Sequence, residues 1–284
     1  MSTVVVGAHG QLGTALRQVL KEDAVFLSRD DVELTDLTAV TDTLLALRPT
    51  AVINAAAYTA VDLAEDEPDL AMRINCDAVG AMAEVSASCG ARFVTLSTDY
   101  VFDGSLNRPY VESDQTKPIN QYGRSKEAGE RAAMAANPES LVVRTSWVIS
   151  GTHPNFVATM LKLAQRGELS VVNDQVGHPT LASDLAVGVD AAAAAGASGI
   201  LHLTNQGVTT WFDLAREVFE LGGFDSDIIR PCGSDEYPTP AARPKNSILE
   251  SERFSDLGLA PLPHYRDGLP ALVQQIESSA SSSD

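Results

Sequence analysis

Tyr122 and Lys126 stand four residues apart in Tyr122-Gly-Arg-Ser-Lys126, and Ser97-Thr98-Asp99-Tyr100 precedes them. On a helix that spacing puts both side chains on one face. A phenol with a pKa of about 10 exchanges protons poorly at neutral pH unless its anion is stabilised. A lysine beside it favours the phenolate and lowers that pKa. A hydroxyl such as that of Thr98 can hold a carbonyl oxygen while the tyrosine moves the proton. The residues therefore point to acid–base chemistry at a ketone or alcohol.

A second pattern opens the chain. Gly7-Ala-His-Gly10-Gln-Leu-Gly13 follows the strand-like Thr3-Val-Val-Val6 and precedes a helical stretch. Strand, glycine turn and helix start aim backbone N–H groups at a pyrophosphate. The glycines at 7, 10 and 13 depart from the usual G-x-G-x-x-G, so position carries more weight than spacing. After the second strand run, where an acidic residue usually accepts from the adenosine ribose, the chain has Ser28-Arg29. A guanidinium pairs instead with a 2′-phosphate, which makes NADPH the expected cofactor and NADH the alternative. Arg29 as a solvated residue beside Asp30 and Asp31 is an equal reading.

Short β-branched runs alternate with helical stretches through the first two-thirds: Val4–Val6, Gln11–Lys21, Ala24–Leu27, Leu37–Leu47, Ala51–Asn54, Asp69–Ser88, Arg92–Leu96, Tyr122–Ala136 and Leu141–Thr145. Such βα repetition predicts an α/β fold with a doubly wound parallel sheet and a smaller C-terminal substrate lobe. The expected division is 1–150 with 181–204 returning to it, against 151–180 and 205–284. Val176–Thr180 reads as a turn, Pro231–Pro244 as an ordered loop or lid, and 278–284 as a polar tail. Trp211 reads as helix core, and Glu65, Asp66 and Glu67 as a solvated helix start.

Composition bounds the partners. The 284 residues carry 38 acidic and 20 basic side chains, a net charge of −18, and only five lysines. No basic stripe exists to neutralise nucleic-acid phosphates. An acidic, lysine-poor chain suits a cytoplasm of high salt, where screening removes self-repulsion. The alternative is an ordinary acidic enzyme. Cys76, Cys89 and Cys232 lack metal or disulfide spacing, and the N-terminus shows no targeting stretch, so a reduced, cytoplasmic location is expected. No metal site and no membrane association are expected.

The motifs together resemble the extended short-chain dehydrogenase/reductases. The matching stretches run nearly end to end, through Gly7–Gly13, Val52–Asp62, Ser97–Gly104, Tyr122–Lys126 with Gly129-Glu130, Arg144–Val148, Val172–Gln175, Tyr237–Pro240, Arg243-Pro244 and Asn246-Ser247. The resemblance implies a Rossmann fold and reduction of the C4 ketone of a nucleotide-linked 4-keto sugar, in activated-sugar biosynthesis. It makes Tyr122 the acid, Lys126 its tuning partner and nicotinamide-ribose ligand, and Thr98 the holder of the keto oxygen. Asp99, Trp147, Asn155 and Arg243 would join Thr98 on the sugar nucleotide. Gly7, Gly10, Gln11, Leu12, Gly13, Ser28, Arg29, Glu33, Leu34, Ala57, Tyr58, Thr59, Tyr122 and Lys126 would lie along the cofactor. A homodimer is admitted, but Ala15 stands where some members place a glutamate for a Mg²⁺-linked contact. Relatives that eliminate water carry Asp-Glu after the Ser-Thr; here Asp99 is followed by Tyr100, so reduction without elimination is expected. The alternatives are another nucleotide-linked 4-keto-sugar reductase or epimerase, or a non-catalytic subunit like the regulatory subunit of methionine adenosyltransferase, which keeps a similar tyrosine–lysine pair.

Overall fold

The computed structural model describes residues 2–20 and 24–281; Lys21 and the tail residues 282–284 lie outside them. Three βα units open the chain: β1 (Thr3–Val6) and α1 (Gln11–Leu20), β2 (Ala24–Leu27) and α2 (Leu37–Leu47), then β3 (Ala51–Asn54) with the short helices α3 (Leu63–Asp66) and α4 (Pro68–Met72). The helix expected over Asp69–Ser88 is instead broken. Arg73–Asp77 forms a π turn between α4 and α5 (Ala78–Ser88), a device that often marks functional positions. β4 (Arg92–Thr98) runs two residues past Leu96 and takes in Ser97 and Thr98 at its carboxyl end. α6 (Gln121–Ala136), β5 (Leu141–Thr145), β6 (Val148–Ile149), α7 (Phe156–Leu163) and β7 (Leu169–Val172) follow.

The segment read as a turn holds two short strands, β8 (Val176–Gly177) and β9 (Thr180–Leu181), before α8 (Ala182–Ala194) and β10 (Gly199–His202). Two-residue strands carry no readable period, and tertiary pairing alone creates them. The chain ends with β11 (Thr209–Thr210), α9 (Trp211–Leu221), β12 (Ile229–Cys232), β13 (Asn246–Ser247), α10 (Phe254–Leu257) and α11 (Tyr265–Ser281). α11 continues through 278–281, part of the expected polar tail.

Six strands form one parallel sheet in the order β10-β5-β4-β3-β1-β2. Strand alternation sends Val4, Val6 and Val52 to one face, against Val40, Leu44, Met82 and Ala133 of α2, α5 and α6. Val5, Ile53, Val94 and Leu201 pack on the other face against Leu16, Leu185 and Val189 of α1 and α8. Helices on both faces make the sheet doubly wound. A separate core joins α7, α9 and α11 through Met160, Leu214, Phe219, Tyr265 and Leu269. Among the described residues no helix is long and apolar enough to cross a membrane.

Candidate active site

The carboxyl ends of β1–β5 open onto a cavity of ≈ 680 Å³, the place where parallel α/β sheets bind ligands. The glycine loop forms its floor. Gly7 has φ +94°, and a Cβ there would lie 2.6 Å from the Ala56 nitrogen. A Cβ at Gly13 would stand 2.1 Å from the Gly7 carbonyl oxygen, so glycine is needed for α1 to rise this close to β1. The Gly7 and Ala8 amides donate to the Leu27 carbonyl at 2.9 and 3.0 Å.

Gly7, Gly10, Gln11, Leu12, Ser28, Arg29, Glu33, Leu34, Ala57, Thr59, Tyr122 and Lys126 line this cavity together. Gly13 and Tyr58, also expected along it, do not. Gly13 serves packing, while the Tyr58 hydroxyl donates to Glu67 and its backbone is held by Asn75 of the π turn. Ser28 spends both its amide and hydroxyl on Asp31, at 2.8 and 2.7 Å, which holds that carboxyl below its usual range. Arg29 is 84% exposed and pairs with Glu33 at 2.7 Å.

The N-terminus of α6 is built by three distant partners. Asn120 caps it, accepting from the Gly123 amide at 2.7 Å, and donates to the Ala242 carbonyl. Glu65, read as a solvated charge, accepts the Gln121 amide at 2.8 Å. Gly123 lies against the Tyr100 carbonyl, where a Cβ would come within 2.2 Å. Tyr122 is thereby seated edge-on to Tyr100, with ring centroids 5.7 Å apart.

The electrostatics differ from the sequence expectation in one respect. Burial pushes the Tyr122 phenol up rather than down, and Asp99 adds to the rise while its Thr98 hydroxyl neighbour opposes it. Lys126 Nζ donates to the Leu96 carbonyl at 2.7 Å. Burial draws its ammonium down to about 8, with Glu130 opposing that shift. Desolvation, rather than the lysine's charge, therefore dominates at the phenol and favours its protonated form.

Thr98 and Asp99 are buried at the end of β4, with the Thr98 hydroxyl donating to Asp99 Oδ1 at 2.9 Å. Burial raises Asp99 to about 6, against hydrogen bonds that lower it. The Ser247 hydroxyl is the first of those partners and Thr98 the second, while Oδ2 itself is buried with no hydrogen bond of full geometry from the described residues. A buried acceptor left open beside the phenol is suited to a ligand hydroxyl.

A second cavity of ≈ 990 Å³ lies beyond Tyr100. Its wall includes Ser234, Asp235, Tyr237–Thr239 and Ala241–Arg243 from the expected proline-rich loop, together with Phe156, Gln175, Trp211 and Lys245. Arg243 lines it and is fixed by Asp62 through bonds of 2.5 and 2.8 Å. Trp147 adopts φ +46° and stacks on Trp211 with centroids 3.6 Å apart. Gly177 lies beneath it, where a Cβ would fall 2.7 Å from the indole. Left-handed backbone in a bulky residue persists only when its surroundings hold it there. Of the residues expected on the substrate only Arg243 lines a cavity; Thr98, Asp99 and Trp147 lie behind the walls, and the Asn155 side chain caps α7 and donates to the Ser150 and His153 carbonyls.

Sequence reasoning missed Tyr100, Gln175, Lys245 and the cavity role of Trp211. Tyr100 and Gln175 lie inside stretches that carry the family resemblance and were open to discovery there. A tryptophan on an amphipathic helix gives no local sign of facing a cavity.

The sequence profile described as "RmlD substrate binding domain" matches residues 1–278. The chain is 43% identical over 281 residues to the dTDP-4-dehydrorhamnose reductase of Mycolicibacterium smegmatis, covering 96% of this chain and 85% of that protein. A crystal structure of such a reductase from Clostridium acetobutylicum superposes with a TM-score of 0.94 at 37% identity, covering 98% of this chain and 100% of that one. The Bacillus anthracis structure, in complex with NADP, has a TM-score of 0.92 at 35% identity, covering 96% and 99%.

Proposed function

From the premise that this chain belongs to the family of the RmlD substrate binding domain, we propose that it reduces dTDP-4-dehydro-L-rhamnose to dTDP-L-rhamnose with NADPH. The observation that carries the reading is the meeting of the two cavities' linings at the Tyr122–Tyr100 contact, beside the open acceptor of Asp99. The first cavity fits a dinucleotide: glycines at 7 and 13 clear the backbone, amides end at the N-terminus of α1, and Arg29 on its wall offers a charge that would pair with a 2′-phosphate. The second takes the nucleotide-linked sugar, with segments 151–180 and 205–284 as the substrate lobe.

When bound, NADPH supplies hydride to the C4 carbonyl carbon. Thr98 holds the carbonyl oxygen, and the neutral Tyr122 phenol gives that oxygen its proton. Asp99 Oδ2 accepts from a sugar hydroxyl and, with Trp147, sets the ring's orientation. Lys126 binds the nicotinamide ribose. Arg243, held by Asp62, offers its charge to the nucleotide part. The acidic surface suits a cytoplasm of high salt, and NADH serves as the weaker donor.

The test is direct. Incubation with dTDP-4-dehydro-L-rhamnose and NADPH, across a range of salt, should consume NADPH absorbance stoichiometrically. No oxidation at any salt would sink the assignment and favour the non-catalytic alternative. Arg29→Ala should weaken NADPH about tenfold while leaving NADH unchanged. That is the lower end for a charge-assisted contact, because the side chain is exposed and screened. Equal losses for both cofactors, read by fluorescence titration, would count against Arg29 as the selector.

A further inference from the structure

Behind Lys126 lies a buried polar cluster that the proposed chemistry does not use. Glu130, one helical turn further along α6, accepts from Ser97 Oγ at 2.5 Å and from Arg144 Nε and Nη2 at 2.8 and 2.7 Å. All three side chains are buried. Ser97 and Leu96 are consecutive in β4, so α6 is tied to that strand twice, by Lys126 at the Leu96 carbonyl and by Glu130 at the Ser97 hydroxyl. Arg144 extends the cluster from β5 to His202 Nε2 on the neighbouring β10, at 3.4 Å.

We propose that Glu130 is a positioning residue for the Tyr122–Lys126 pair, fixing α6 on β4 and supplying the buried negative charge that keeps the Lys126 ammonium protonated. The inference rests on the functional reading above for its catalytic meaning, though not for its electrostatics. Arg144 cannot give up its proton. Without the carboxylate, two buried cations would share one dry site, and only Lys126 can discharge to relieve it. Glu130 opposes the downward pull of burial on Lys126.

The charged groups around this cluster are few. Tyr122 comes from α6 itself, Asp99 and Tyr100 from the turn after β4, and Arg144 from β5. His202, which burial holds near 4, stands behind Arg144 with Glu112 bonded to its amide. On the far side of α6, the π turn and α4–α5 bring Cys76, the Arg73–Asp77 pair, and the exposed Asp69 and Glu84. Glu65 sits at the start of α6. Of these carboxylates, Glu130 is one turn from Lys126.

With five lysines in the chain, carbon-13 labelling of their ε carbons allows Lys126 to be followed by NMR, its signal assigned by Lys126→Met. The wild-type midpoint is expected near 8. Glu130→Gln should lower it by about one pH unit, a tenfold change in proton affinity, and move the alkaline limb of kcat/KM down by the same amount. If the unpaired Arg144 prevents that variant from folding, the double variant Glu130→Gln with Arg144→Met removes both buried charges and should still titrate below the wild type. An unmoved Lys126 midpoint in the folded variant overturns the proposal. So does a loss of activity that follows thermal stability and is equal at every pH. A wild type that turns over no 4-keto sugar nucleotide, with the Lys126 midpoint still lowered in Glu130→Gln, would sink the functional reading and leave the electrostatic role standing.

Discussion

Replacement of Tyr122 by phenylalanine is expected to lower turnover by about 10²–10⁴-fold, the usual share of a general acid, with NADPH affinity kept. The ring and its edge contact with Tyr100 survive the change; only the hydroxyl beside Thr98 is lost. The pH profile separates this role from its neighbour's. Burial holds Tyr122 above its ordinary value, so the phenol remains a proton donor through the alkaline range. The loss of wild-type activity with rising pH should therefore follow Lys126, whose ammonium discharges near 8, and not the tyrosine. Measuring kcat and NADPH affinity of Tyr122→Phe between pH 6 and about 9 checks both statements. Near-normal turnover would mean that another group protonates the substrate.

Asp99→Asn should separate stability from activity. The carboxyl is raised from its ordinary 3.8 to about 6, chiefly by burial. Its charged form therefore destabilises the fold above the folded-state midpoint, and the penalty disappears as pH falls toward the unfolded-state value. At about 1.4 kcal/mol per tenfold change in proton affinity, the shift corresponds to about 3 kcal/mol. Asparagine removes that charge and keeps an oxygen for the Thr98 hydroxyl. Unfolding in urea should show a gain of about 2–3 kcal/mol at pH 8 that fades as the pH falls from about 6 to about 4. Loss of the ionised acceptor should lower kcat/KM by about tenfold to a hundredfold. A variant no more stable at pH 8 than the wild type would mean that Asp99 is not desolvated as its burial requires. Unaltered kcat/KM would remove it from the substrate site.

Much of the framework was legible because its causes are local. Val-rich runs alternate faces with period two, and Gly7 and Gly13 mark where the backbone must pass closely. Tyr122 and Lys126 share a helix face by spacing alone. Asn120, Thr210 and Asp36 cap helices through bonds to amides three residues away. The parallel sheet and its carboxyl-end cavity follow from those signals together with the one hand allowed to βα crossovers.

What remained hidden depends on residues far apart in the chain. Asp62 and Arg243 are 181 positions apart, and no pattern in either segment announces their pairing. The same holds for Trp147 on Trp211, for Glu65 at the start of α6, and for Glu130 between Ser97 and Arg144. The break of the Asp69–Ser88 helix into a π turn was equally unreadable, since Asn75 is drawn in by Tyr58 and Ser125 rather than by its neighbours. The direction of the Tyr122 shift belongs with these. Sequence spacing shows which charge stands beside the phenol, but desolvation is a sum over every segment that excludes water from it. By itself the sequence determined which groups share a strand end or a helix face. Only the tertiary structure decided how dry that site is, which partner holds each group, and therefore which proton each one keeps.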